Sequence, residues 1–182
     1  MEIIDRPFEG SFLLKPRVFS DHRGFFYEFF RETEFRKITG LDTRFVQDNL
    51  AGSVRHVFRG IHFQRKPYEQ AKLVSVIQGS ILDIIVDLRR DSPTFARWYA
   101  AELTEENKHQ LFIPKGFGHA YLVLSPTAKV FYKTDEYYHP EYDAGIRFDD
   151  PTIRLSLPVA MEDLILSEKD KNLPYLHQIG DL

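Results

Sequence analysis

Apolar and polar positions alternate most regularly between Ala71 and Leu88. Lys72-Leu-Val-Ser-Val-Ile77 runs into a turn at Gln78-Gly79-Ser80 and returns as Ile81-Leu-Asp-Ile-Ile-Val-Asp-Leu88, which reads as a hairpin. In its second arm Leu82, Ile84, Val86 and Leu88 share one face and Asp83, Ile85 and Asp87 the other, the period of two that a strand imposes. The same reading predicts short strands at Gly10–Val18, Arg44–Ser53, Phe58–Phe63, Trp98–Leu103, Gln110–Ile113, Ala120–Leu124 and Val130–Tyr138. Turn residues at Asp21-His-Arg-Gly24, Asp91-Ser-Pro93, Pro114-Lys-Gly116 and Ser125-Pro126 separate several of them. Two short helical pieces are expected. Thr33 caps Glu34–Thr39 with Gly40 as the stop, and a turn runs over Met161–Lys169. Many short strands with few helices predict a mostly β sandwich or barrel.

Composition narrows the class further. The 182 residues carry no repeat, low-complexity tract or linker, so one domain over 1–182 is expected. A net charge of -3 gives no overall preference for nucleic acid or anionic membrane, and any anion recognition must be local. Zero cysteines remove disulfides, thiolate metal sites and thiol nucleophiles together. The N-terminus lacks the basic start and apolar run of a signal peptide. Asp83 and Asp87 interrupt the longest apolar stretch, which is too short and too charged to span a bilayer. A soluble, cytoplasmic domain is expected.

Chemistry concentrates in two segments, Arg59-Gly-Ile-His-Phe-Gln64 through Lys72 to Gly79, and Pro114-Lys-Gly-Phe-Gly-His119. They resemble the two half-motifs of a cupin, which implies a double-stranded β-helix, or jelly roll, with a few short helices. His62, Gln64 and Lys72 stand in three ligand positions and His119 in the fourth. A cationic Lys72 repels a divalent ion and the Gln64 amide binds one poorly, so the pattern points to proton chemistry rather than a metal site. Gly60, His62 and Gln64 are in phase on one strand and are expected to share a face. If that face is interior, Lys72, His119 and Tyr132 converge on it.

Each candidate also has an ordinary reading. His62 and His119 are two of seven histidines, and only their half-motif positions single them out as titrating groups. Lys72 is otherwise a solubilising strand-edge lysine, and otherwise a fixed cation beside a developing enolate. Tyr132 is either a core aromatic with its hydroxyl at the rim or a proton donor. Arg23 and Arg59 are either surface ion pairs or planar forks for a diphosphate.

With Asp21-His-Arg-Gly-Phe-Phe26, Glu28, Phe45-Val-Gln-Asp-Asn49, Val86-Asp-Leu-Arg89, Ser92-Pro-Thr-Phe95, Tyr132-Lys133, Tyr137-Tyr138 and Leu166-Ser-Glu-Lys-Asp170 added, the chain resembles the dTDP-4-dehydrorhamnose 3,5-epimerase family along nearly its whole length. The resemblance implies a homodimeric jelly roll acting on a nucleotide-diphospho-sugar without metal or other cofactor. It implies His62 as general base, Asp170 as its hydrogen-bond partner, Tyr132 as general acid and Lys72 as oxyanion stabiliser. It also implies substrate contacts from Arg23, Glu28, Gln47, Asn49, Arg59, His119, Tyr138, Asp143 and Lys169. Departures from the family pattern include Phe148 and Leu157 where tryptophans are commoner, Ala120 and Tyr121 beside His119, and Asp143 where a glutamate can stand. The competing readings are a single-centre epimerase, a metal-dependent cupin and a non-catalytic sugar-binding cupin.

Overall fold

The computed structural model describes residues 1–180. Thirteen strands form: β1 (Glu2–Asp5), β2 (Phe12–Lys15), β3 (Val18–Asp21), β4 (Gly24–Tyr27), β5 (Gln47–Val54), β6 (Phe58–Gln64), β7 (Lys72–Gln78), β8 (Ser80–Asp87), β9 (Trp98–Thr104), β10 (Gln110–Ile113), β11 (Phe117–Val123), β12 (Thr127–Thr134) and β13 (Asp143–Gly145). Two helices accompany them, α1 (Glu32–Thr39) and α2 (Glu168–Lys171). A six-stranded sheet in the order β1-β2-β10-β7-β12-β5 faces a five-stranded sheet in the order β13-β6-β11-β8-β9, and the pairings are antiparallel. This is the jelly roll that the half-motifs imply.

Three apolar clusters hold the layers in place. Between the sheets, Val74, Val76, Leu111, Ile113 and Val130 meet Ile81, Ile85, Phe117, Tyr121 and Val123 from the facing strands. On the outer face of the five-stranded sheet, Phe58, Ile61, Ile84, Val86, Ala120 and Leu122 pack under the C-terminal segment through Ile146, Ile153, Leu155 and Leu176. α1 covers the outer face of the six-stranded sheet, where Phe35 and Phe112 stack edge to face with ring centroids 5.1 Å apart. The alternation read in β8 is thus the division between two cores. Ile81 and Ile85 look inward with Asp83 and Asp87, while Ile84, Val86 and Leu88 look outward.

Several local expectations are corrected. Thr33 does not cap α1: the helix begins at Glu32, Arg31 occupies the cap position without a side-chain bond, and Glu32 and Glu34 place negative charge in the first turn. Gly40 does end it, at φ 75° with its amide on the Arg36 carbonyl. The strand expected over Gly10–Val18 divides at Pro16, which has no amide to give a ladder, into β2 and β3. The strand expected to reach Tyr138 stops at Thr134. In place of one turn over Met161–Lys169, a 3-10 turn at Met161–Asp163 and α2 are separated by Ile165, held extended by bonds with His56 and Phe58.

Gly60 is the instructive correction. On β11 His119 and Tyr121 are two residues apart, yet their partners on β6 are His62 and Arg59, three apart. The extra residue is a bulge that shifts the phase, so Arg59 rather than Gly60 shares the interior face with His62. Gly60 has φ 131°, and a Cβ there would lie 2.4 Å from the Ala120 Cβ. Only glycine fits.

Candidate active site

Inward alternation brings side chains from both sheets to one end of the barrel interior. A cavity of about 350 Å³ is lined by His62, Phe63 and Gln64 of β6, Lys72 of β7, Tyr132 of β12, Gln47 and Asn49 of β5, Asp143 of β13, Lys169 of α2, and Gln70 and Tyr138 from loops. A larger cavity of about 750 Å³ lies alongside, but two of its three arginines are committed elsewhere. Arg89 pairs with Asp87, and Arg90 donates to the carbonyls of Ile179 and Gly180.

His62 sits at mid-strand with its Nε2 2.5 Å from Asp170 Oδ1. The carboxylate comes from α2, where the Ser167 hydroxyl accepts the Asp170 amide and caps the helix. Burial pushes the Asp170 carboxyl up, but the His62 imidazole beside it, with lesser help from Ser167 and the Gly60 amide, outweighs this and holds the group below its usual value. An ionised Asp170 only accepts, so Nε2 carries the proton and Nδ1 is left as the free base.

Lys72 opens β7 facing inward. Burial lowers its pKa from 10.5 to about 8, while the Asp143 and Asp83 carboxylates pull it back up. Tyr132 shifts the other way. Burial raises its pKa, with the Tyr121 and Asp143 charges adding to this and Arg59 opposing, so the phenol keeps its proton at neutral pH.

The remaining lining side chains form one network. Gln47 donates to Asn49 Oδ1 (3.0 Å) and accepts the Tyr138 amide (3.1 Å). Tyr138 donates its hydroxyl to Asp143 Oδ2 (2.9 Å), which Lys169 also contacts. Gln64 is taken up by the neighbouring loops, donating to the carbonyls of Tyr68 and Tyr137 and accepting the His139 amide at 2.6 Å.

Four expected residues stand apart from this cavity. His119 lies directly opposite His62 in the ladder but is sealed beneath the cavity, its Nε2 2.7 Å from Asp83 Oδ1. Arg59 donates to Ser53 Oγ and the Gly52 carbonyl and lines a separate groove. Arg23 is at the tip of the β3–β4 hairpin, paired with Asp21, and Glu28 pairs with Arg31. Sequence reasoning passed over two residues. Gln70 gives no signal beyond its position, whereas Asp83 does: a carboxylate at an inward position of an apolar strand.

Residues 5–178 match the family described as dTDP-4-dehydrorhamnose 3,5-epimerase. The chain is 51% identical to the dTDP-4-dehydrorhamnose 3,5-epimerase of Methanothermobacter thermautotrophicus over 90% of its length and 88% of that protein's. It is 46% identical to the Escherichia coli K12 enzyme of the same name, covering 98% of this chain and 96% of that protein. Among solved structures, dTDP-6-deoxy-D-glucose-3,5-epimerase from Legionella pneumophila in complex with dTDP-4-keto-L-rhamnose superposes with a TM-score of 0.94 at 41% identity, covering 98% of this chain and 94% of that one.

Proposed function

The chain belongs to the dTDP-4-dehydrorhamnose 3,5-epimerase family, and we propose that it is an isomerase converting dTDP-4-dehydro-6-deoxyglucose to dTDP-4-dehydrorhamnose in deoxysugar biosynthesis. One observation carries the mechanism. A carboxylate-held imidazole, a half-buried phenol and a half-buried ammonium line a single cavity. The 4-keto group acidifies the hydrogens on both flanking carbons. His62 Nδ1 takes one of these protons, and the C–H electron pair moves onto the ketone oxygen as an enolate. Lys72 compensates that charge where low dielectric makes a fixed cation most effective. Tyr132 then delivers a proton to the opposite face of the same carbon, and solvent takes the proton from His62 and returns one to the phenolate. No electrons leave the sugar, so the sequence needs no redox partner. Gln47, Asn49, Tyr138, Asp143 and Lys169 hold the nucleotide-sugar at the cavity mouth.

The test is proton NMR of dTDP-4-dehydro-6-deoxyglucose incubated with the protein in deuterated water. Deuterium is expected at both carbons flanking the ketone, with the change of ring couplings that double inversion produces. Incorporation at one carbon would make the protein a single-centre epimerase. None at either would overturn the reading.

A homodimer completes the proposal. Among the described residues β3 and β4 pair only with each other, and an isolated two-stranded ribbon is marginal in water. Its Phe25 and Phe26 are 61% and 70% exposed, and beside it Leu50 and Val54 on the outer face of β5 are 65% and 53% exposed. Tyr27 leads through Phe29 to Phe131 of β12, so the ribbon borders that open face. A two-fold axis through this surface buries the aromatics and carries Arg23 and Glu28 to the partner's cavity. The expected solution mass is twice 21.4 kDa. Mixing inactive Arg23→Ala and His62→Ala proteins is expected to restore about a quarter of wild-type activity, because the mixed dimer holds one intact site. A monomeric mass, or no restoration, would remove the shared site.

A further inference from the structure

β8 buries two carboxylates on its inward face, and they are treated differently. Asp87 receives Arg89 at 2.8 Å and the Ser92 and Thr94 hydroxyls at 2.6 Å each. These bonds outweigh burial and lower its pKa to about 2. Asp83 is equally inaccessible, yet only Oδ1 has a partner, His119 Nε2 at 2.7 Å. Its Oδ2 is sealed from solvent with no hydrogen bond. A half-satisfied buried carboxylate is costly and calls for an explanation.

The explanation lies across the barrel. Lys72 faces inward from β7 and has no hydrogen-bond partner among the described residues. The ionisable groups around it are His62 on β6, Asp83 on β8, His119 and Tyr121 on β11, Tyr132 on β12, Asp143 on β13 and Lys169 on α2, with Asp170 behind His62 and Arg59 turned to its own groove. β5 contributes only the amides Gln47 and Asn49. Two carboxylates favour the charge on Lys72, Asp143 and Asp83. Asp143 is already engaged by Tyr138 and Lys169, and Asp170 by His62. Among the described carboxylates Asp83 alone has a buried oxygen without a hydrogen bond.

We infer that Asp83 is a positioning residue of the proposed reaction: it is the buried counter-charge that keeps Lys72 an ammonium beneath the enolate, and it holds His119 in place beside it. The inference rests on the epimerase reading only for the reaction it serves. Burial raises the Asp83 pKa, and the bond and charge of His119 and the Lys72 ammonium pull it back down, so the carboxylate depends on these two neighbours for its charge. Asp83→Asn is nearly isosteric and its carbonyl still accepts from His119, so the substitution removes the charge and little else.

Competitive acetylation of Lys72, followed by mass spectrometry across pH, reads the lysine directly in the intact protein. The wild-type midpoint is expected near 8, and Asp83→Asn is expected to lower it by about one unit or more. The alkaline limb of kcat moves the same way. The variant is expected to lose about fivefold relative activity at pH 8 and to recover it near pH 6, where Lys72 is again protonated. His119→Gln leaves the carboxylate in place and is expected to leave the labelling midpoint unchanged. An unmoved midpoint in Asp83→Asn, or an equal fall in His119→Gln, would overturn the inference. If the asparagine variant does not fold, Asp83→Ser removes the charge without adding bulk and carries the same test. Labelling does not depend on the sugar, so absence of deuterium exchange in the wild type would count against the epimerase reading alone.

Discussion

His62→Ala is expected to lower kcat by about 10²–10⁴, the usual contribution of a placed general base, while dTDP binds with near wild-type affinity. The separation of the two effects follows from the geometry. His62 is held by Asp170, whereas Gln47, Tyr138, Asp143 and Lys169 form a linked set of their own that does not pass through the imidazole. Alanine removes the cavity-lining imidazole whose tautomer a carboxylate fixes, and no side chain behind it replaces it. His119 is its ladder neighbour, but it is sealed and donates toward Asp83. Deuterium entry at the carbons next to the ketone is therefore expected to fall with turnover. Asp170→Asn tests the same pair from the other side. An amide that presents its NH₂ group to Nε2 favours the other tautomer, so the variant should lose rate without losing nucleotide affinity. Near wild-type turnover in His62→Ala would sink the base assignment, and loss of dTDP binding in the same variant would move His62 from chemistry to recognition.

Much of this site is legible in the chain because strand periodicity is rigid. Once β7, β8, β11 and β12 are read with a period of two, the inward phase of Lys72, Asp83, His119 and Tyr132 follows from their apolar neighbours. β6 shows where that logic fails. A bulge at Gly60 changes the phase, and its cause is the approach of Ala120 across the sheet, which no local pattern in β6 encodes. The β3–β4 ribbon had a visible turn at Asp21-His-Arg-Gly24, but its flanks are aromatic on both faces and so gave no alternation to read. The contact between His62 and Asp170 spans 108 residues of sequence and is fixed only when the C-terminal segment folds back over the five-stranded sheet. Periodicity can place a residue on a face, but not which distant loop returns to meet it.

Tyr132→Phe should separate the two half-steps that His62→Ala removes together. Phenylalanine keeps the ring that packs against the inter-sheet core and deletes only the hydroxyl, so fold and nucleotide binding are expected to persist. With the base intact, His62 still takes a proton and Lys72 still holds the enolate. Nothing then protonates the far face, and the carbon recovers hydrogen from the side that lost it. The expected result is deuterium entering the sugar with retained configuration, while epimer formation drops by about 10²–10⁴. Burial makes this dissection clean, because the raised pKa of Tyr132 keeps it a proton donor over the pH range in which Lys72 is charged. Of the other phenols at the inter-sheet core, Tyr99 donates its hydroxyl to Asp5 and Tyr121 turns its own to Ser53 at 3.5 Å. Inversion at an unchanged rate in Tyr132→Phe would therefore assign the second proton to solvent or to Tyr121. Loss of deuterium exchange together with inversion would mean that Tyr132 acts before the enolate forms, in binding the ketone rather than in returning the proton.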